Sequence, residues 1–311
     1  MSCIGLLTGR TGGAASCGPP DVRPEPPAAP AVAFGDEQLT ITWRPPGNAG
    51  SPIIDYQLRI SGGAQGLSPG VGNVTSYTWT GLTNGSDYTF EVRARNSAAD
   101  NEGWSDWSPL SAPEHPLTLP AAPAQPAAQR GDRQVTITWQ APDDGGDPIT
   151  AYQVRSSINS AWVNVTPQGQ TNSHVWEQIP NGTDVSFEVR AINRDPRSTS
   201  PGNISPPSPT VRTCTVPDAP AAPTAARGDT QATVTWAAPA DQGCAISEYR
   251  ITASTGATQT AAAGATAHTF TGLANGTPVT FTVTAINEVV TVDGGTPKPS
   301  PASNSVTPAG A

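Results

Sequence analysis

The 311-residue sequence is poor in charged residues, which make up 13% of it, about half the usual share of a globular protein. It has no stretch with Leu, Glu and Lys at helical spacing, and no apolar run approaches the roughly 20 residues of a membrane span. These absences argue against an all-α protein, a coiled coil and an ordinary α/β enzyme. The formal net charge of −9 argues against nucleic acid or anionic membrane surfaces as partners.

What the sequence does contain is 34 prolines and 31 glycines, a composition that leaves β-sandwiches or disorder. Eight tryptophans argue against disorder, because several of them recur in register. Trp43, Trp139 and Trp236 lie 96 and 97 residues apart, and each closes a run of alternating apolar and polar residues. Such alternation is typical of a half-buried β-strand. The sequence therefore predicts a threefold internal repeat.

Other positions recur with these tryptophans. They are a tyrosine thirteen residues later (Tyr56, Tyr152, Tyr249), an Asn-Gly turn (Asn84, Asn181, Asn275) and a strand phenylalanine (Phe90, Phe187, Phe281). Length changes are confined to the stretch between the tyrosine and the turn, where loops tolerate insertion and core strands do not. This spacing is typical of an antiparallel sandwich.

The repeat resembles three fibronectin type III domains in tandem, over roughly residues 24–308. The resemblance implies an all-β chain of immunoglobulin-like β-sandwiches in an elongated array, with the tryptophan ending strand B and the tyrosine in strand C. The predicted boundaries are 1–23 for an N-terminal tail, then 24–117, 118–215 and 216–311 for domains 1, 2 and 3.

Two details qualify this resemblance. An antibody-type domain carries a cysteine pair on its B and F strands, and no cysteine lies at those positions here. The corner tyrosine of the fold is present as Tyr88 but replaced by Val185 and Val279. Domains 2 and 3 are therefore expected to lack the hydrogen bond that this tyrosine makes.

The segment Trp104-Ser-Asp-Trp107-Ser resembles the WSxWS signature of cytokine-receptor fibronectin domains, in which tryptophans interleave with arginines. Arg93 and Arg95 lie on the polar face of strand F, so we expect a ladder of cation–π stacks. A receptor is one interpretation. A local stabiliser is the favoured one, because the other repeats keep two serines at this place, Ser205 with Ser208 and Ser300 with Ser303.

Arg-Gly-Asp occurs twice, at 130–132 and 227–229, and matches the integrin-binding tripeptide of fibronectin. Domain 1 has Phe34-Gly-Asp at the equivalent place, so the shared element is a Gly-Asp turn before strand B. Fibronectin presents its own tripeptide at the other end of the domain. We therefore predict a turn and not an adhesion site.

The sequence offers little for metal binding or catalysis. Three carboxylates, Asp143, Asp144 and Asp147, crowd one loop of domain 2, but calcium needs six to eight oxygens, so a turn is favoured. The histidines fall in separate repeats, and His174 and His268 are expected to point outward from strand E. We predict a protein that is not an enzyme and has no metal and no cofactor.

Trp162 is an aromatic residue without a counterpart in the other repeats, and it falls in the stretch of variable length. It is a candidate for stacking on a sugar ring or on a partner surface. A packed loop anchor explains the residue equally well.

The four cysteines at 3, 17, 214 and 244 permit three pairings. In a fibronectin sandwich the entry of the domain and its B–C loop share one pole, so we predict a disulfide between Cys214 and Cys244. Cys3 and Cys17 would then pair with each other or with a partner. The alternative is four free thiols in a reducing compartment.

Residues 1–13 lack the basic start and apolar core of a signal peptide. Either an upstream leader is missing, or the protein leaves its cell by another route, such as inside a virion. The leading hypothesis is an extracellular or cell-surface spacer and adhesive stalk that binds a protein or a cell-surface glycan. One alternative is a structural or host-binding component of a phage virion, in contact with neighbouring subunits. The other is an accessory region of a secreted polysaccharide hydrolase.

Overall fold

The computed structural model describes residues 23–98, 103–165, 172–199 and 203–310. These residues are nearly all β, in antiparallel sheets of two and three strands. The chain divides into two compact units, residues 1–118 and residues 119–311. Domain 1 forms the first unit, and domains 2 and 3 together form the second.

Domain 1 consists of two facing three-stranded sheets. The first sheet, in the order β1-β2-β5, contains β1 (Ala31–Gly35), β2 (Gln38–Thr42) and β5 (Ser76–Thr80). The second, in the order β4-β3-β6, contains β3 (Ile53–Gly62), β4 (Gly66–Leu67) and β6 (Tyr88–Asn96).

Domains 2 and 3 repeat this plan. Domain 2 pairs β7 (Ala127–Gly131), β8 (Gln134–Thr138) and β11 (Ser173–Glu177), and in its second sheet β9 (Ala151–Ser156), β10 (Asn159–Asn164) and β13 (Phe187–Ile192). The short β12 (Asp184–Val185) pairs with β14 (Val211–Arg212), and a 3-10 turn covers Pro196–Thr199. Domain 3 pairs β15 (Thr224–Arg227), β16 (Gln231–Thr235) and β19 (Ala267–Thr271), then β17 (Glu248–Ala253), β18 (Thr258–Ala262) and β20 (Phe281–Ile286), followed by α1 (Glu288–Thr291).

Each domain has its own core between its two sheets. The recurring tryptophan and tyrosine pack against each other in every repeat, with ring centroids 5.3, 5.3 and 5.2 Å apart. Alternate residues of the strands complete the core, as the period of two requires. Burial raises the pKa of the tyrosine hydroxyls of Tyr56, Tyr152 and Tyr249, because the phenolate form loses its hydration there.

The segment that follows β6, β13 or β20 is held by serines. In domain 1 the Ser108 amide donates to the Val92 carbonyl at 2.9 Å, and the Ser108 hydroxyl accepts from the Val92 amide at 3.0 Å. Ser208 and Ser300 make the same reciprocal pair with Phe187 and Val283. A proline follows each of these serines and has no N–H for a regular ladder. The serine hydroxyl accepts from the strand amide, so that amide keeps a partner where the following proline interrupts the regular pairing. This is a structural role for the serine repeat.

The E–F corner differs between the domains. In domain 1 the Thr83 amide donates to the Tyr88 hydroxyl at 3.1 Å. In domain 2 the equivalent of Thr83 is Pro180, which has no amide hydrogen to donate. Its carbonyl instead accepts from the Thr213 hydroxyl at 2.8 Å. The loss of the tyrosine in domain 2 therefore leaves no unpaired donor at this corner.

Candidate functional site

The outer face of the β3–β6 pair carries the predicted ladder of arginine and tryptophan. The guanidinium of Arg93 lies 4.9 Å from the ring centroid of Trp104 and 4.6 Å from that of Trp107. Arg95 stands over Trp104 at 5.1 Å, and Arg59 over Trp107 at 4.7 Å. Sequence reasoning missed Arg59, which is on the neighbouring strand β3. Its position three residues after Tyr56, on the polar side of that strand, was the available signal.

Each arginine of the ladder also has a polar partner across the sheet. Arg59 pairs with Glu91 at 2.5 Å, and Arg93 donates to Gln57 at 3.0 Å. Burial, together with the charge of Arg59, lowers the pKa of Arg93. Since the side chain of Arg59 is 43% exposed, solvent screens its ion pair and limits what the pair contributes to stability.

Domain 2 has the same arrangement of arginines and polar partners, but its tryptophan comes from a strand and not from the segment after the last strand. Arg155 pairs with Glu188 at 2.6 Å, and Arg190 donates to Gln153 at 2.8 Å. These four residues occupy the same repeat positions as their counterparts in domain 1. The ring of Trp162, from the edge strand β10, lies 4.8 Å from the Arg155 guanidinium and 4.3 Å from that of Arg190.

This arrangement bears on the two interpretations of Trp162. The residue is half-buried, and its ring is engaged with two guanidinium groups of its own domain. That favours the packed anchor over the stacking site for a sugar. In domain 3 the two arginine positions are Thr252 and Thr284.

In all three domains an asparagine side chain holds the Gly-Asp turn by hydrogen bonds. In domain 2 the Asn181 side-chain amide donates to Asp132 at 2.8 Å and accepts from the Arg133 backbone amide at 2.9 Å. Asn84 with Asp36 and Asn275 with Asp229 repeat this geometry. Sequence reasoning predicted the turn and missed its asparagine partner, although the recurring Asn-Gly was visible. The aspartate of each Arg-Gly-Asp is thus engaged in holding its own domain together.

The two arginines of these tripeptides have different surroundings. Arg130 is only 19% exposed and pairs with Glu288 and, at 3.0 Å, with Asp293, both of domain 3. Burial alone would lower the pKa of Arg130, but its hydrogen bonds and Coulombic attraction to these two carboxylates raise it. Arg227, at the equivalent place in domain 3, is exposed.

Cys214 and Cys244 are joined by a disulfide with a Cα–Cα separation of 5.5 Å. Both residues are buried. A Glu288 carboxylate oxygen lies 3.0 Å from the Cys244 sulfur, which brings three groups of metal-ligating type together. Because the two sulfurs are bonded to each other, neither is a thiolate ligand in this state. Cys3 and Cys17 lie outside the described residues.

The loop carboxylates of domain 2 are engaged with backbone amides. Asp143 accepts from Gly145 and Asp144 from Gly146, each at 2.9 Å. Asp147 accepts from the Arg194 amide at 3.1 Å. These are the contacts of a tight Asp-Gly loop, in line with the turn interpretation.

The expected outward orientation of His174 and His268 is wrong. His174 lies on the same side of β11 as Trp176, with ring centroids 6.0 Å apart, while Val175 between them is 41% exposed. His268 likewise shares the side of the buried Phe270. Side chains two residues apart point to the same side of a strand. His174 and His268 each stand two residues before a core aromatic, Trp176 and Phe270, so the alternation itself indicates the inner side. Burial lowers the pKa of His174, although the charge of Glu177 partly opposes this.

A buried asparagine at the end of the last core strand is a further residue that sequence reasoning missed. Asn96 donates to the Asn48 carbonyl at 2.9 Å and Asn193 to the Asp144 carbonyl at 2.8 Å, each fastening the loop between the second and third strands. Asn287 donates to the Thr215 carbonyl at 2.9 Å. An asparagine follows the last core alanine of this strand by two residues in every repeat, and that recurrence was the signal that could have revealed it.

Comparison with known proteins fits this architecture. A family model described as the fibronectin type III domain matches residues 25–111, 121–203 and 218–303. The chain belongs to the fibronectin type III family. The prediction of tandem fibronectin type III sandwiches is therefore confirmed. Among the residues that the structure describes, no helix has the length and apolar character to cross a membrane.

The relatives of the chain are larger proteins. It is 34% identical over 177 residues to a Kelch domain-containing protein of Saccharolobus solfataricus, a match that covers 55% of this chain and 22% of that protein. It is 29% identical over 226 residues to exoglucanase B of Cellulomonas fimi, covering 70% and 20%. The FN1–FN3 domains of chicken CNTN1 align at 18% identity and a TM-score of 0.33, covering 91% and 97%. The matched part of the chain thus spans about a fifth of the length of the Kelch domain-containing protein and of exoglucanase B.

Proposed function

We propose that this fibronectin type III chain is a non-catalytic spacer and binding stalk that works outside the cell or at its surface. The observation that carries the proposal is the close joint between domains 2 and 3. The connecting residues Thr213, Cys214 and Val216 are 0, 2 and 9% exposed, whereas a flexible linker runs over the surface. A buried joint between domains limits their relative motion, which suits a spacer that holds the parts attached to its two ends at a fixed distance.

The disulfide at the same joint supports the extracellular address. Disulfides form and persist in oxidising surroundings and are rare where thiols are kept reduced. The arginines and tryptophans of the outer faces contact each other within a single domain. These contacts support a stabilising role for the side chains and not a role in binding a partner. A protein or cell-surface glycan is the partner that we propose for the stalk.

An accessory region of a polysaccharide hydrolase is a second candidate, favoured by the similarity to exoglucanase B over 70% of this chain. In such an enzyme the present chain would space or target a catalytic part that lies elsewhere. Both candidates share the spacer role and differ in what the stalk is attached to.

Binding and turnover measured on the same surfaces distinguish these functions. The full chain, fluorescently labelled, is incubated with intact source cells and with insoluble polysaccharides, and retained label and released sugar are both quantified. We expect saturable retention on cells with no sugar released. Retention on a polysaccharide but not on cells would favour the second candidate.

Three outcomes would contradict the proposal. They are sustained release of sugar by the purified chain, no retention on any cell or polysaccharide, and immunogold label confined to virus particles or to the cell interior. The Trp139→Ala chain serves as the control for retention by unfolded protein, since that substitution removes a buried core aromatic.

A further inference from the structure

We propose that the joint between domains 2 and 3 has two locks, one ionic and one covalent, and that the ionic lock controls chemical access to the covalent one. The ionic lock is Arg130 with Glu288 and Asp293. The covalent lock is the disulfide between Cys214 and Cys244. This inference rests on the spacer role proposed above and adds to it a state in which the spacer becomes a hinge.

The ionic lock bridges elements of both domains. Arg130 is the last residue but one of strand β7 in domain 2, while Glu288 begins α1 of domain 3 and Asp293 lies just beyond that helix. The arginine binds both carboxylates, and its side chain is 19% exposed whereas those of Glu288 and Asp293 are 49 and 39% exposed. Solvent therefore reaches the carboxylate side of these pairs, and salt weakens them. Opening the contact leaves the partly desolvated guanidinium of Arg130 without its two carboxylates, which adds a cost to separating the domains.

The covalent lock holds backbone that is already in close contact. On one side of Cys214, the Thr213 amide donates to the Thr183 carbonyl of domain 2 at 3.0 Å. On the side of domain 3, the Arg212 side chain donates to the Gly243 carbonyl at 2.7 Å, directly before Cys244. A Cβ at Gly243 would lie 2.3 Å from the Gly182 nitrogen, so the two domains meet here at backbone distance.

The two locks touch each other. Glu288 contacts both the Arg130 guanidinium and, at 3.0 Å, the Cys244 sulfur. Cys214 and Cys244 are only 2 and 3% exposed. A thiol reductant therefore needs a local opening of the joint before it can reach either sulfur.

The covalent lock opens by thiol–disulfide exchange with a dithiol reductant. One thiolate of the dithiol attacks a cysteine sulfur, the S–S bond breaks, and the other cysteine leaves as a thiolate that takes up a proton. The second thiol of the reductant then displaces the first cysteine and closes the reductant's own disulfide. The reductant loses two electrons, and Cys214 and Cys244 gain them as two thiols.

The first experiment measures the rate at which dithiothreitol reduces this disulfide in the full chain, by quenching with an alkylating agent and mapping the peptides that contain Cys214 and Cys244. We expect Arg130→Met to accelerate reduction at least severalfold and high salt to accelerate it in the wild type. Arg227→Met is the matched control, because Arg227 holds the same repeat position and is exposed. Equal rates for the wild type and Arg130→Met would overturn the ionic gate.

The second experiment tests whether the locks hold the domains as one body. Residual dipolar couplings of the full chain give one alignment tensor for domain 2 and another for domain 3. We expect a common tensor in the oxidised wild type, and its loss in Arg130→Met after reduction. Differing tensors in the oxidised wild type would overturn the proposal, as would a common tensor after both locks are removed. Amide spectra of each domain show whether both remain folded, and reduction in situ avoids any cysteine variant that fails to fold. Neither readout depends on a binding partner, so failure here is distinct from failure of the stalk function.

Discussion

The inner and outer faces of the central strands follow different rules in the three repeats. Inside, the tryptophan–tyrosine pair keeps the same separation to within 0.1 Å. Outside, the aromatic partner of the arginines comes from the segment after β6 in domain 1 and from β10 in domain 2, and domain 3 has threonines instead. The inner face must fit a second sheet at close packing, which leaves few solutions. The outer face packs against no second sheet of its own domain, so several arrangements of its side chains are compatible with the fold.

The largest effect is expected from an inner-face truncation. Trp139→Ala removes a side chain that is 5% exposed and should destabilise domain 2 by about 3–5 kcal/mol, as other buried aromatic truncations do. Hydrogen exchange followed by mass spectrometry resolves this loss domain by domain. A cost near that of a surface substitution would show that the constant separation of tryptophan and tyrosine does not reflect a tightly constrained inner face.

Trp162→Ala tests the outer face of the same domain. Two cation–π contacts are lost, and because the ring is half-buried we expect about 1–2 kcal/mol, well below the effect of Trp139→Ala. The same exchange measurement on domain 2 provides the comparison within one experiment. If the chain binds a glycan, retention should persist in this variant, and its selective loss would revive the stacking-site interpretation of Trp162.

The ladder of domain 1 allows a double-mutant cycle. Arg93→Ala and Trp104→Ala should each destabilise domain 1 by about 0.5–2 kcal/mol, and the double variant by less than their sum, because the two side chains share one stack. Denaturant titration of the three variants measures the coupling. Strict additivity would mean that the two groups do not interact in solution.

These cases show how far the sequence could predict the structure. The strand period and the threefold spacing predicted the sandwiches, because core positions such as Trp43 and Tyr56 depend on local alternation. The arginine stacks were predicted where tryptophan and arginine fell in a known motif, and missed at Arg59, whose contact depends on the pairing of β3 with β6. The contacts of Arg130 with domain 3 could not be predicted, because they depend on how two domains meet.

A pH titration of the stability of domain 2 tests whether His174, on the edge strand β11, lies on the inner side of its sheet. Burial beside Trp176 holds the pKa of His174 below its ordinary value, so the folded state takes up this proton less readily than the unfolded chain. Above about pH 6.5 both states are neutral and the full stability is present. As the pH falls below that value, the unfolded state binds the proton first and the stability of domain 2 should fall. His174→Gln should remove this dependence, with His268→Gln as the control in domain 3. An unchanged pH profile in His174→Gln would assign the effect to other groups.

The smallest effect is expected at the rim, where the Arg-Gly-Asp of domain 2 tests whether a recognisable motif is a site or a turn. Asp132→Ala removes the acceptor of the Asn181 amide, a hydrogen bond of 2.8 Å between exposed groups. Water can replace that acceptor, so the cost should stay below about 1 kcal/mol. Any adhesion of cells to the immobilised chain should be unchanged, since Arg130 of the same tripeptide is bound to Glu288 and Asp293. Loss of adhesion with stability intact would mean that the tripeptide is read by a receptor, and would require the Arg130 contacts to open during binding.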